Sequence, residues 1–312
     1  MDLYSIGEML IDFTPGGEPA SYVRNPGGAP ANAAIAVVRS GLSAGLCTSV
    51  GDDDFGRFLV KTLEDNGVRA INPRLCGEAV TTLAFVTLAP DGNRSFTFAR
   101  KPGADMFLRE EDVKEEDIRN SAIVHAGSFS LAAPTADGAT IKALRLGHEL
   151  GKLVSFDVNY RNVVWNDDQG ACNAKVREIL PYVDLLKVSD EEVCMVGGED
   201  ALPGLMEEFG IAVVVETLGG AGARAFFAGE RWDVPSRKVT CVDATGAGDA
   251  FWGGFLSSLR LQGIDRADQL TRERVNRAVE YGNASGGLCV QKKGAIPALP
   301  TREEIEAFLA RE

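Results

Sequence analysis

The segment with the clearest chemical potential is residues 242–251, which read Val-Asp-Ala-Thr-Gly-Ala-Gly-Asp-Ala-Phe. The small residues Gly246, Ala247 and Gly248 allow backbone N–H groups to surround an anion, and the predicted helix that follows adds about half a positive charge at its N-terminus. Asp249 lies in the first turn, where a carboxylate stays ionised and can accept a proton. The run therefore predicts a general base beside an anion hole. Alternatively, Asp249 is only a favourable first-turn acid and the glycines form a tight turn.

A second group of polar residues lies near the N-terminus. Asp12 comes near the end of an apolar segment, and Gly28 and Asn32 lie at the start of an Ala/Val-rich helix. A carboxylate and an amide supply the acceptors and donors that vicinal hydroxyls need, and Gly28 lets a ring approach the backbone. The same Asp and Asn could instead cap backbone groups at the ends of elements.

Alternating strands and helices are predicted along most of the chain. Strands are predicted over 3–13, 46–50, 122–125, 153–158, 185–188 and 212–217, and helices over 29–40, 55–66, 135–150, 171–180, 203–209, 248–261, 272–288 and 302–310. This alternation predicts an α/β fold, with a doubly wound, mostly parallel sheet and helices on both faces. Polar clusters lie at the ends of three of the strands, at Asp157 to Arg161, Lys187 to Glu192 and Thr217 to Gly220. Because ligands bind at the carboxyl ends of such strands, we expect these clusters to line one site.

Two hairpins interrupt the alternation, at 81–88 with 95–99 and at 223–228 with 231–234. Pro90-Asp91-Gly92-Asn93 supplies strong turn chemistry for the first hairpin. We expect parts of 10–25 and 80–105 to form a small β lid. No repeat or Pro/Ser-rich linker divides the sequence, so residues 1–312 are expected to form a single domain with this lid as a subdomain.

Composition excludes several classes of partner. Lys plus Arg is 32 and Asp plus Glu is 45, giving a net charge of −13, which argues against nucleic acid or an anionic membrane as the main partner. No apolar run approaches the roughly 18 residues of a membrane span. The N-terminus lacks signal-peptide features, and the six cysteines are scattered without a Cys-x-x-Cys pair. A cytoplasmic protein with reduced thiols is therefore expected.

Residues 243–251 resemble the second signature of the ribokinase-like, or PfkB, family of carbohydrate kinases, and residues 25–34 resemble the first. The resemblance extends from Gly7-Glu8 to Gly294-Ala295-Ile296-Pro297. It implies ATP-dependent phosphorylation of a hexose, with ATP and Mg²⁺ as cofactors, and the N-terminal half is most similar to bacterial fructokinases, which implies D-fructose. A 2-keto-3-deoxygluconate kinase is the alternative, since Arg100 or Arg161 could bind a carboxylate. A nucleoside kinase and a non-catalytic sugar-binding relative are further alternatives, and an exposed edge of the lid could pair in a homodimer.

The resemblance also implies roles for individual residues. Asp249 would be the catalytic base, and the amides of Gly246, Ala247 and Gly248 would form the anion hole. The implied sugar contacts are Asp12, Gly28, Asn32, Arg100, Arg161 and Asp249. The implied nucleotide contacts are Asn159, Lys187, Thr217, Gly219, Gly222, Gly246, Gly248 and Asn283. The implied metal positions are Glu192, for Mg²⁺ through water, and Asp243 with Thr245, for a monovalent cation such as K⁺.

At three places the sequence departs from the family's pattern or allows a second interpretation. Ser189 stands where the family's metal motif has Asn. Arg100 and Asp105 could equally form a solvated charge pair, and Asn283 could be an exposed helix residue.

Overall fold

The computed structural model describes residues 1–18, 20–88 and 94–311. The strands are β1 (Leu3–Ile6), β2 (Leu10–Pro15), β3 (Tyr22–Gly27), β4 (Ala44–Gly51), β5 (Arg69–Cys76), β6 (Leu83–Leu88), β7 (Arg94–Ala99), β8 (Ile123–Gly127), β9 (Leu153–Asp157), β10 (Leu185–Ser189), β11 (Val213–Thr217), β12 (Gly222–Phe227) and β13 (Glu230–Pro235). The α-helices are α1 (Ala29–Arg39), α2 (Asp54–Asp65), α3 (Glu115–Arg119), α4 (Pro134–Glu149), α5 (Gln169–Ile179), α6 (Leu202–Phe209), α7 (Ala247–Leu261), α8 (Arg272–Cys289) and α9 (Arg302–Leu309).

The main sheet has nine strands in the order β13-β12-β11-β10-β9-β8-β1-β4-β5. The strands from β11 to β5 are parallel, and the hairpin of β12 and β13 adds two antiparallel strands at one edge. Strands β1 and β8 are neighbours in this sheet. From β1 the chain continues to β4 on one side, and from β8 it continues to β9 on the other, so the order of the strands reverses between β1 and β8. Ligands bind at the carboxyl end of such a switch point, and that end carries Glu8 after β1 and Phe129 after β8.

Helices cover both faces of this sheet, as predicted. One core cluster joins the sheet to α1, α2, α7 and α8, and the other joins it to α4, α5 and α6. Helix α1 is buried along most of its length because its small Ala side chains let β1 and α7 approach closely. Each helix along the described ranges is too short or too polar to span a lipid bilayer.

A second sheet of four strands, in the order β3-β2-β6-β7, lies beside the main one. It occupies the segments for which the β lid is predicted, and we call it the small sheet. Phe13 of β2 stacks on Phe85 of β6 with ring centroids 5.1 Å apart, which helps to fix its register. Its movement as a lid stays a prediction. The predicted turn at Pro90-Asp91-Gly92-Asn93 lies outside the described residues.

Three differences from the predicted elements have physical reasons. The single strand predicted over 3–13 is wrong, because Gly7, at φ 144°, divides it into β1 and β2, which belong to different sheets. Strand β3 escaped prediction because Pro26 suggests a break, although a proline is tolerated in an edge strand. Strand β5 was also missed, since its charged and polar residues lie on an exposed sheet edge.

Candidate active site

Asp249 lies at the start of α7, in the turn for which the anion hole is predicted. Gly246 precedes the helix with φ 76°, and a Cβ there would lie 2.6 Å from Cβ of Ala295, so only glycine fits. Asp249 is 8% exposed and lies in the first turn. It therefore shares the first turn with the N–H groups at the start of the helix, of which that of Ala247 donates to the carbonyl of Ala244 at 3.2 Å.

Two amide side chains hold the Asp249 carboxylate. Asn32 donates from Nδ2 to Oδ2 at 2.7 Å, and Asn159 donates from Nδ2 to Oδ1 at 3.2 Å. Burial raises the pKa of Asp249 above its ordinary value, the hydrogen bond from Asn32 opposes this, and Asp157 adds to it. A carboxylate that binds protons more readily than usual, with both oxygens fixed in place, is well suited to act as a general base.

A buried ion pair lies behind Asp249. Lys187 Nζ donates to both oxygens of Asp157 at 2.8 Å, and Asn159 also donates to Asp157, at 3.3 Å. Burial alone would lower the pKa of Lys187, but Asp157 and Glu192 outweigh it and raise the pKa. A Cβ on Gly248 would lie 3.6 Å from Lys187 Nζ, so this ammonium group lies next to the anion-hole turn.

The sequence reasoning did not assign Asp157. Its sequence signal is its place in the polar cluster of residues 157–161, at the end of β9, without a role of its own. Together, Asp157, Lys187 and Asn159 link the positive charge near the turn to the carboxylate of Asp249.

A cavity of about 130 Å³ lies on one side of Asp249 and brings together most of the predicted sugar contacts. The predicted residues that line it are Asp12, Gly28, Asn32, Asn159, Arg161, Thr245, Gly246 and Asp249, and Glu8, Phe98 and Phe129 are among the others. Gly28 has φ 121°, and a Cβ there would lie 2.5 Å from the carbonyl oxygen of Glu8. Burial raises the pKa of Asp12 to about 6, with Arg161 opposing and Asp249 adding to the shift.

Arg100 and Asp105 form a buried ion pair. Their side chains are 7% and 2% exposed and lie 2.8 Å apart, so the alternative of a solvated pair is wrong. The Arg100 guanidinium lies 4.6 Å from the ring centroid of Phe129, which lines the cavity. Arg100 therefore borders the cavity through Phe129, and its direct contact with a sugar stays a prediction.

A second cleft, of about 290 Å³, opens on the other side of Asp249. The predicted residues that line it are Asn159, Arg161, Lys187, Ser189, Glu192, Thr217, Gly246, Ala247, Gly248 and Asp249. The carboxyl ends of β9, β10 and β11 supply most of them, as the clustering of polar residues predicts. Asp249 thus belongs to the walls of both the cavity and the cleft.

Three other predicted nucleotide contacts are not among the residues that line the cleft, and their observed contacts stabilise the local fold. A Cβ on Gly222 would lie 2.2 Å from the carbonyl oxygen of Val234, so this glycine allows the hairpin of β12 and β13 to close. Asn283 is 9% exposed and donates to the same carbonyl at 2.9 Å, so the alternative of an exposed helix residue is wrong. Gly219, at φ 54°, forms the turn after β11. Nucleotide contact by these three residues stays a prediction.

The predicted metal positions are engaged with the backbone. Glu192 accepts from the amide of Tyr160 at 2.7 Å and from that of Ser189 at 3.0 Å. Asp243 accepts from the amide and hydroxyl of Thr245, at 2.9 and 2.7 Å, and from the amide of Gly294 at 3.0 Å. Across the described ranges, three or more His, Cys, Asp or Glu side chains nowhere gather closely enough to hold a metal ion unaided. A metal here would need oxygen ligands from water or phosphate.

Comparison with known proteins places this geometry among sugar kinases. A model of the pfkB family of carbohydrate kinases matches residues 2–302. Fructokinase-1 of Oryza sativa is 40% identical over 311 residues, covering 96% of this chain and 95% of that protein.

Two solved structures are similar over nearly the whole chain. The fructokinase of Xylella fastidiosa with bound ATP superposes with a TM-score of 0.92 at 29% identity, covering 99% of this chain and 98% of that one. A double mutant of the Vibrio cholerae fructokinase, in a form that binds fructose, ADP and potassium ion, has a TM-score of 0.89 at 32% identity, with 99% and 98% covered.

Proposed function

The chain belongs to the pfkB family of carbohydrate kinases, and on that basis we propose that it phosphorylates the 6-hydroxyl of D-fructose with ATP. The position of Asp249 carries the proposal, because this buried carboxylate lies in the wall shared by a small cavity and a larger cleft. The similarity to fructokinases that bind fructose or ATP supports the choice of sugar and nucleotide.

The chain's own residues account for removal of the proton from the sugar hydroxyl and for stabilisation of the negative charge on the transferring phosphoryl group. Asp249 takes the proton of the sugar hydroxyl, whose oxygen forms a bond to the γ-phosphorus while the bond to the ADP oxygen breaks. The N–H groups from Gly246 to Asp249 stabilise the negative charge of the transferring group. Lys187, held beside this turn by Asp157, adds a positive charge on the nucleotide side.

The cavity suits a small, uncharged sugar. Asp12, Asn32 and Asp249 present hydroxyl-binding groups, and Phe98 and Phe129 supply apolar walls. The guanidinium of Arg100 is committed to Asp105. Among the described residues of the cavity wall, Arg161 is the cation that could meet a sugar carboxylate, but the carboxylates of Asp12 and Asp249 in the same wall would repel one, which favours fructose over 2-keto-3-deoxygluconate.

We assign Mg²⁺ to the cleft and a monovalent cation to the loops around Asp243. Mg²⁺ would neutralise phosphate charge when bound, and Glu192 would hold its water shell from the wall of the cleft. Asp243 fixes the Thr245 and Gly294 backbone, whose carbonyls could coordinate K⁺. The potassium ion of the Vibrio cholerae fructokinase supports this second assignment.

We also propose that the small sheet pairs in a homodimer. Tyr22 and Val23 of its edge strand β3 are 51% and 52% exposed, so an apolar strand edge is open to a partner strand. A cytoplasmic location stays a prediction, to which the six free cysteines are suited.

The test of the proposed function is identification of the product. Protein, MgATP and D-fructose are combined with an isomerase and dehydrogenase pair that reports only fructose 6-phosphate, while ADP is measured separately. The proposal expects equal amounts of ADP and fructose 6-phosphate. ADP without the second signal would contradict the position of phosphorylation, and no sugar-dependent ADP would contradict the kinase activity.

A further inference from the structure

Glu8 lies in the wall of the sugar cavity without a role in the proposed mechanism. It follows β1 at the switch point of the main sheet and is only 4% exposed. It lines the cavity together with Asp12, Asn32 and Asp249. A buried carboxyl in a substrate cavity calls for an explanation, because carboxyl groups are rarely buried without a partner.

The contacts of Glu8 leave one oxygen unpaired. Oε1 accepts from the amide of Ala29 at 3.0 Å. Oε2 is buried and lacks a hydrogen-bond partner among the described residues. The carbonyl oxygen of Glu8 lies so close to Gly28 that a Cβ there would be 2.5 Å away, so the backbone of Glu8 packs directly against the start of α1. Since Glu8 lines the cavity, a molecule bound there can supply the missing partner.

The surroundings of Glu8 favour its neutral form. Burial raises the pKa of Glu8 to about 8, the amides of Glu8 and Ala29 oppose this, and the carboxylates of Asp105 and Asp249 add to it. Asp12 faces the same cavity from β2. The cations nearby are Arg161, also in the wall, and Arg100, which pairs with Asp105. Near neutral pH the carboxyl therefore carries a proton.

We propose that Glu8 is a specificity-determining residue that meets the sugar as a neutral carboxylic acid and donates a hydrogen bond from Oε2 to one of its hydroxyl oxygens. The proposal rests on the proposed function of the cavity. Asp12 and Asp249, when ionised, can only accept hydrogen bonds from hydroxyls. Glu8 supplies a donor to the lone pairs of one hydroxyl, so the cavity recognises both the proton and the oxygen of its ligand.

Two substitutions separate this role from an ionised acceptor. In Glu8→Gln the amide keeps an acceptor for Ala29 and a donor for the sugar, so we expect kcat/KM for D-fructose near neutral pH to stay within about threefold of wild type. In Glu8→Ala both are lost, and we expect the KM for fructose to rise about 10- to 100-fold while the KM for ATP stays unchanged. If Glu8→Gln lost as much catalytic efficiency with D-fructose as Glu8→Ala, the proposal would be overturned, because an ionised acceptor would then be required.

The pH profile gives a second readout that a purely structural role would not move. We expect kcat/KM for fructose to fall above about pH 8 in the wild type, as Glu8 ionises, and not in Glu8→Gln. The same alkaline decline in both proteins would overturn the proposal.

Singly deoxygenated fructoses identify the hydroxyl. We expect one analogue to bind the wild type more weakly than fructose does, whereas Glu8→Ala should bind that analogue and fructose with equal affinity. Calorimetry without nucleotide measures both affinities. Additive losses for every analogue would contradict a direct contact. If the wild type prefers another sugar, the proposed substrate fails, and the Gln, Ala and pH comparisons still decide the role of Glu8 with that sugar.

Discussion

Replacement of the proposed base, Asp249→Asn, is the substitution whose consequences the structure defines best. Both carboxylate oxygens of Asp249 accept from amide donors, at 2.7 Å from Asn32 and 3.2 Å from Asn159. The new side chain has one oxygen and one NH₂ group, so one of these donors would face another donor. Asn32 can relieve this by turning its amide, because its Oδ1 is buried without a hydrogen-bond partner in the described part of the chain.

The turn of Asn32 restores the number of hydrogen bonds, and the substitution also removes a buried charge. We therefore expect the free energy of unfolding to change by less than about 1 kcal/mol. The variant has no base, so kcat should fall by about 10²- to 10⁴-fold. The rate of ADP release at saturating fructose and ATP measures the fall in kcat, and thermal unfolding measures the change in stability. Asp265→Asn, at an exposed surface position, is the matched control and should keep wild-type activity.

A folded Asp249→Asn protein whose kcat lies within about tenfold of wild type would show that Asp249 is not the base. The acid limb of the pH profile adds a check. Because the pKa of Asp249 is raised, wild-type activity should fall as the pH drops through that raised value and the base becomes protonated. Residual activity of the variant should lack this limb.

Three further predictions concern the groups around the base. The pKa of Glu8 rises on folding from 4.5 to about 8, so between these pH values the folded state binds more protons than the unfolded state. As the pH rises through this range, the wild type should lose up to about 1.4 kcal/mol of unfolding free energy per pH unit relative to Glu8→Gln. Denaturant titrations that give the two proteins the same dependence of stability on pH would contradict this prediction. Glu192→Gln should raise the Mg²⁺ concentration for half-maximal activity, whereas exposed Glu207→Gln should not, and an unchanged half-saturation point would move the metal role elsewhere. Asp243→Asn should weaken activation by K⁺ at constant ionic strength, because its carboxylate holds the Gly294 loop, and a wild type indifferent to K⁺ would contradict the assignment.

The elements predictable from sequence are those with strong local signals. The strand predicted over 153–158 is found as β9, Leu153–Asp157, because its apolar residues are continuous and buried on both faces. The helix predicted over 248–261 is found as α7, Ala247–Leu261, because glycine marks its start and the apolar residues repeat at helical spacing. The turn that holds Asp249 follows from the same local signal.

Long-range features escaped prediction because the sequence does not report distance or burial. The resemblance implies that Asn32 and Asp249, 217 residues apart, both contact the sugar, but only the fold shows the 2.7 Å hydrogen bond between their side chains. Asp157 and Glu8 look like ordinary strand-end acids until the structure shows the Lys187 pair of the first and the unpaired oxygen of the second. The ion pair of Arg100 was misjudged as equally suited to solvent for the same reason.

The most direct test of the account compares kcat/KM for D-fructose, D-ribose, adenosine and 2-keto-3-deoxygluconate in one ATP-coupled assay. We expect fructose to be preferred, by up to roughly 10⁴-fold over an analogue that lacks a hydroxyl the cavity binds. Preference for 2-keto-3-deoxygluconate would leave Asp249 as the base but contradict the fructokinase function, and would point to Arg161 as the partner of its carboxylate.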